Sequence, residues 1–133
     1  MKDKRRATGM KNELYVQKYL EGDGYVVHRA RASLIKTKTS VFCRSNDILE
    51  CIDILGKRKD RKILWIQVST GSRKSEKEKK ILSQDVWNPK TDEVEIWLCF
   101  KGNLWKIYKL DFKENKFVEY KKIERGKTFT IDT

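Results

Sequence analysis

Apolar positions follow one period up to residue 24 and another beyond it. In "GMKNELYVQKYLEGDGY" the residues Met10, Leu14, Val16, Tyr19 and Leu20 recur at spacings of mostly three and four. That rhythm predicts an amphipathic helix with Thr8 as its N-cap and a stop at Gly22 to Gly24. The charged residues 1–7 ahead of it predict a flexible basic arm. From "YVVHRARASLI" (25–35) onward, β-branched and aromatic residues gather into short runs that predict strands. The first covers 25–35 and carries Arg29 and Arg31 on one face. The second is "ILECIDILG" (48–56), closed by Gly56, and the third is "ILWIQVS" (63–69). "KTKTSVFCRSND" is a polar connection without an assigned structure, and "KRKDRK" (57–62) is a hairpin loop with five basic residues.

After Thr70 the alternation stops. "GSRKSEKEKKILSQDVW" (71–87) is rich in helix formers, with Ser72 or Ser75 as N-cap and Ser75 with Glu78 as a capping box. Asn88-Pro89 ends that helix. Three more strands follow over 93–100, 104–112 and 116–123, with Gly102 in a short turn. A strand–helix–strand step closes right-handed, which sets strand 93–99 parallel to strand 63–69. The element order predicts one α/β domain over 1–133: a single mixed β-sheet with flanking helices, a core over 8–110 and a C-terminal strand extension over 111–133.

Composition adds a partner class. In 133 residues, 31 Lys and Arg face 19 Asp and Glu, a formal net charge of +12. Such an excess favours a polyanionic partner, nucleic acid first, over a surface whose mixed charges serve solubility alone. Trp65, Trp87, Trp97 and Trp105 fall in or beside apolar runs and are expected in the core. Three cysteines without a C-x-x-C pair, and one histidine, argue against a Cys/His zinc site. Cys51 and Cys99 read as small buried hydrophobes of a reducing cytoplasm. No stretch has the apolar length of a membrane span, so a cytoplasmic protein without a membrane partner is expected.

Candidate chemistry sits where polar residues interrupt apolar strands. Asp53 lies within "CIDIL", and a carboxylate there needs a partner or a metal to offset desolvation. Gln67 comes fourteen positions later, and Ser69 shares its face under strand alternation. A hairpin at 57–62 brings Asp53 and Gln67 toward the same end of adjacent strands. A carboxylate and an amide carbonyl are oxygen ligands for a divalent cation. The same residues also suit a carboxylate satisfied by backbone donors and an amide at a sheet edge.

An Asp followed about a dozen residues later by Glu-x-Lys or Gln-x-Lys, behind a helix carrying a Glu, is the layout of the PD-(D/E)XK nucleases. With Glu13 on the first helix, then "GYVVHRA", "IDIL" and "IQVS", the chain resembles that superfamily over residues 8–110, and its archaeal Holliday junction resolvase-like branch in particular. The resemblance implies a restriction-endonuclease-like αβββαβ core and an endodeoxyribonuclease that uses Mg²⁺ (or Mn²⁺) on branched or double-stranded DNA. It also implies a homodimer. Asp53 is then the principal metal ligand, Gln67 stands for the second acidic ligand, and Glu13 completes the set. Where the family has its lysine, this chain has Ser69. Either another cation has moved in, from Arg73, Lys74, Lys77, Arg29 or Arg31, or the fold is kept as a nucleic-acid-binding module without hydrolysis. Ser72, Arg73 and Lys74 at a helix start suit a phosphate.

Overall fold

The computed structural model describes residues 2–30, 33–36, 41–44, 51–101, 104–124 and 127–130, and side chains within 11–30, 51–101 and 104–124. Helix α1 (Lys2–Gly22) leads into β1 (Val26–Arg29), β2 (Ser33–Lys36), β3 (Val41–Arg44), β4 (Ile54–Lys57) and β5 (Ile63–Thr70). A 3-10 turn (Gly71–Arg73) then opens α2 (Lys74–Leu82), followed by β6 (Asp92–Phe100), β7 (Leu104–Asp111), β8 (Lys116–Glu124) and β9 (Lys127–Thr130).

Seven strands form one mixed sheet in the order β1-β4-β5-β6-β7-β8-β9, and β2 with β3 forms a separate two-stranded sheet. β5 and β6 pair in parallel, Gln67 opposite Ile96, as expected of a strand–helix–strand step through α2. The neighbouring β4/β5 pair is antiparallel, with Ile54 opposite Ile66. The expected α/β class, the 57–62 hairpin and the parallel step are all present.

Each face of the sheet carries its own core. Val16 and Leu20 of α1 join Ile54, Leu64, Ile66, Trp97, Trp105, Ile107 and Ile123 on one face. Ile81 of α2 joins Cys51, Ile52, Val94, Ile96, Leu98, Leu110 and Phe117 on the other. Full burial of each such side chain stabilises by about 1.5–3 kcal/mol. Trp97 and Trp105 are buried and Trp65 and Trp87 half-buried, so the tryptophans are core residues as expected. Cys51 and Cys99 are free thiols, buried and half-buried.

Several expected boundaries move, each for a local reason. α1 begins at Lys2 rather than Thr8, so residues 2–7 continue the helix. The expected 25–35 strand ends at Arg29, and β2 pairs instead with β3, inside the connection left without structure. β4 starts at Ile54, which leaves Asp53 before the strand rather than within it. Gly56 does not close that strand but lies inside it, where the Tyr25 ring would meet an added Cβ at 3.4 Å. α2 has Arg73 at its N-cap position without a side-chain cap, so Ser75 and Glu78 form no capping box. The helix stops at Leu82, and Trp87 returns across its end to donate its Nε1–H to the Ile81 carbonyl at 2.9 Å.

Candidate functional site

Asp53 sits at a bend that its own side chain completes. Its backbone N–H donates to the Ile66 carbonyl at 2.9 Å, and its carbonyl accepts from Ala30 N–H at 2.8 Å. Two residues further along β5, beyond the last paired residues of β4, the Val68 N–H donates to Asp53 Oδ2 at 2.9 Å. The carboxylate thus takes the place of the next backbone partner and ends the β4/β5 ladder. The bend has a visible consequence: Ile52 and Ile54, which would share a face in a regular strand, enter opposite cores.

Gln67 is brought beside it. Val68 faces α1 with Leu64 and Ile66, so Gln67 and Ser69 face the α2 side with Trp65. Gln67 is 3% exposed and Asp53 7%, both buried among apolar neighbours. Gln67 Nε2–H donates to the Val68 carbonyl at 3.2 Å. That bond uses one of the amide's two N–H donors, and the carbonyl oxygen is the atom of this side chain able to meet a cation. Ser69 is half-buried at the next same-face position, opposite Leu98 of β6. A carboxylate from the bend before β4 and an amide from β5 thus both contact the backbone of Val68, at the C-terminal end of β5.

Glu13 belongs to the other layer. α1 lies against β1, β4 and β5. Tyr15 stacks on Trp105 at 5.2 Å, and the Leu20 carbonyl accepts from Tyr25 N–H at 3.0 Å. Trp105 pairs with Cys99, which pairs with Thr70, whereas Tyr25 lies against Gly56, which pairs with Leu64. The helix therefore points its earlier turns toward the Thr70 end of β5. Glu13, half-buried one turn before Val16, lies toward that end but on the face opposite Gln67 and Ser69. Among the described residues no group of three or more His, Cys, Asp and Glu side chains is placed to hold a metal ion. A carboxylate and an amide oxygen nevertheless fit Mg²⁺ chemically, because that ion keeps several waters and takes only one or two protein carboxylates.

The expected cations divide into two groups. Arg29 closes β1 opposite Ile54, next to the Asp53 bend, and is half-buried; Arg31 lies outside the described residues. At the start of α2, Arg73 holds Glu76 through Nε at 3.2 Å and Nη2 at 2.8 Å. This bidentate pair raises the guanidinium's pKa and lowers that of Glu76, each chiefly through the hydrogen bond. Lys74 is ion-paired to Glu78, with Nζ 4.6 Å from the centre of the Tyr108 ring. Ser72 is exposed, its hydroxyl 3.4 Å from that of Thr70, and Lys77 is half-buried on α2. Arg73 and Lys74, the cations next after Ser69 in sequence, are thus each ion-paired to a glutamate of α2.

Two features went unread in the sequence. Glu95 of β6 is 4% exposed and accepts from Tyr120 O–H at 2.6 Å and Trp97 Nε1–H at 2.8 Å. Burial raises its pKa above the usual carboxylate range, against the pull of those two bonds. Burial, with the Glu95 charge beside it, also raises the Tyr120 phenol. The second is a basic cleft between the β4–β5 loop and the turn before β6, lined by Lys57, Lys59, Asp60, Arg61, Lys62 and Lys90. A net positive loop was visible in "KRKDRK", but the contribution of Lys90 was not. Among the described residues no helix is long and apolar enough to cross a membrane. No protein-family model, no curated protein and no solved structure matches the chain.

Proposed function

We propose that the chain is a metal-dependent, endonuclease-like DNA-binding protein that hydrolyses phosphodiester bonds in branched or double-stranded DNA. The observation that carries this reading is the bond from Val68 N–H to Asp53 Oδ2, which seats a buried carboxylate beside Gln67 at the C-terminal end of β5. On this reading the helix–strands–helix–strand order is a restriction-endonuclease-like core. Asp53 and Gln67 hold Mg²⁺ (or Mn²⁺), and Glu13 of α1, on the face of the sheet opposite Gln67, is not among the ligands. The metal, when bound, supplies a water of lowered pKa and polarises the scissile phosphate.

The chain's own residues do the rest. The Val68 N–H fixes the rotamer of Asp53, and the Val68 carbonyl fixes the amide of Gln67, so neither ligand reorganises when substrate arrives. Ser69 offers a hydroxyl that can hydrogen-bond a phosphate oxygen or a water but adds no charge. Arg29, at the end of β1 beside the Asp53 bend, and Lys77 on α2 are the cations this reading assigns to a phosphate. Incubation of the protein with four-way-junction and duplex DNA in Mg²⁺ or Mn²⁺ tests the reading; cleavage that Asp53→Asn abolishes supports it, and no cleavage by wild type defeats it.

One observation favours a second reading, a binding module on the same fold without hydrolysis. Ser69 lacks the lysine's charge, and Arg73 and Lys74 are bound to Glu76 and Glu78. That reading expects salt-sensitive DNA binding, indifferent to Asp53→Asn and to chelators, with no turnover.

A further inference from the structure

The cleft at the far end of the sheet carries charge that nothing in the fold consumes. Its lining holds five cations, Lys57, Lys59, Arg61, Lys62 and Lys90, against the single carboxylate of Asp60, around a volume of about 410 Å³. Among the described residues none of the five is ion-paired to a carboxylate, whereas Arg58 of the same loop is paired to Asp23. Nor is the cleft a loose tangle of side chains. Lys57 Nζ donates to the carbonyls of Arg58, at 3.0 Å, and Arg61. Lys62 Nζ donates to the Pro89 carbonyl at 2.5 Å, and Ile63 N–H to that of Thr91 at 2.9 Å. These bonds tie the loop to the turn that carries Lys90. Lys59, Arg61 and Lys90 then stand exposed around a shallow, open concavity. Like charges gathered at a concave surface focus a positive potential and repel one another until an anion arrives.

We infer that this cleft is a second docking site for the sugar–phosphate backbone of double-stranded DNA, separate from the Asp53–Gln67 site. The inference deepens the nucleic-acid reading above and rests on it. β5 starts beside the cleft at Ile63 and reaches Gln67 four residues later, roughly 13 Å at about 3.3 Å per residue. Duplex DNA carries a charge every ~1.7 Å along its axis, so one duplex presents phosphates to both ends of the sheet. The cleft then supplies affinity and orientation without sequence information, the work that Arg73 and Lys74 cannot do while paired.

The test is the salt dependence of binding to a fluorescently labelled duplex, read by anisotropy. The first variant is Lys59→Ala/Arg61→Ala/Lys90→Ala, which spares the two lysines that tie the loop. A charge-matched control, Lys79→Ala/Lys80→Ala/Lys113→Ala, removes exposed cations elsewhere. The cleft variant is expected to lose about tenfold or more in affinity and to flatten the log–log salt slope by about 2–3, at ~0.9 per phosphate contact. The control is expected to lose far less. A charge-keeping variant, Lys59→Arg/Lys90→Arg, is expected to bind like wild type, which separates lost charge from a disturbed fold. Equal losses in cleft variant and control, or no loss in the cleft variant, would overturn the cleft while leaving the nuclease reading standing. Wild type that binds no duplex overturns the cleft, and the nuclease reading falls with it only if four-way-junction DNA is not bound either. Cleft-dependent binding to phosphatidylserine vesicles, with duplex binding unchanged, reassigns the cleft and overturns the inference. Cleavage is not read here, so an inactive Asp53 site does not imitate any of these outcomes.

Discussion

The Val68 N–H donates to Asp53 Oδ2 at 2.9 Å, so one carboxylate both ends a sheet ladder and presents itself at the proposed site. The two roles separate by substitution. Asp53→Ala leaves a partly buried N–H without its acceptor and is expected to cost about 1–3 kcal/mol. Asp53→Asn keeps an oxygen for Val68 and is expected to cost clearly less, while removing the charge a metal needs. Denaturant unfolding of both variants checks this. Equal stability of Ala and Asn would mean that the bond does not hold the bend.

Glu95 makes stability fall as pH rises. Its folded pKa is raised by burial, so the folded state holds the proton more tightly than the unfolded chain does. Stability on this account is greatest below the ordinary carboxylate pKa and declines as pH climbs from there through the folded value. Glu95→Gln removes that decline, although one of its amide atoms meets the donor of Tyr120 or Trp97 less well. The Tm of E95Q minus that of wild type is therefore expected to increase from pH 4 to pH 8. A difference that stays flat across that range would show that Glu95 titrates normally in the fold.

Gly71 is required by Phe100. A Cβ at Gly71 would lie 2.1 Å from the Phe100 ring, so the turn between β5 and α2 closes only over a bare backbone. Gly71→Ala is expected to destabilise by about 1–3 kcal/mol through overpacking. Phe100→Leu in the same chain is expected to recover part of the loss, measured as a double-mutant cycle. Additive effects would place the strain elsewhere.

Asp92 holds two donors at once, Trp65 Nε1–H at 3.0 Å and Asn88 N–H at 2.9 Å. Asp92→Ala is expected to cost more than Asp53→Asn in unfolding free energy and to shift tryptophan fluorescence as Trp65 loses its partner. An unshifted spectrum would contradict the Trp65 bond.

Much of this architecture is legible in the residues, and the exceptions share a cause. The parallel β5/β6 step and the common face of Gln67 and Ser69 follow from period and handedness, which are local or topological rules. The bend at Asp53 depends on a donor fifteen residues away, so "CIDIL" alone reads as unbroken strand. Glu95 alternates with Val94 and Ile96 as a solvent-facing residue would. Its burial follows only from β6 being central, with a core on each face. Arg73 and Lys74 look like free cations until the helix start moves to Lys74, which sets Glu76 and Glu78 within reach. In the cleft, "KRKDRK" is visible but Lys90 arrives through the fold.

The central claim is that the Asp53–Gln67 pair supports metal-dependent phosphodiester hydrolysis, and a single comparison reaches it most directly. Four-way-junction and duplex DNA are incubated with wild type and with Asp53→Asn, each in Mg²⁺, Mn²⁺ and EDTA, and the products are resolved on a denaturing gel. Wild type is expected to cleave only with metal, and D53N to bind the same DNA while cleaving at least about a hundredfold more slowly, a larger loss than removal of an outer-shell partner brings. Wild type that cuts neither substrate with either metal, or D53N that cuts as fast as wild type, would contradict the account.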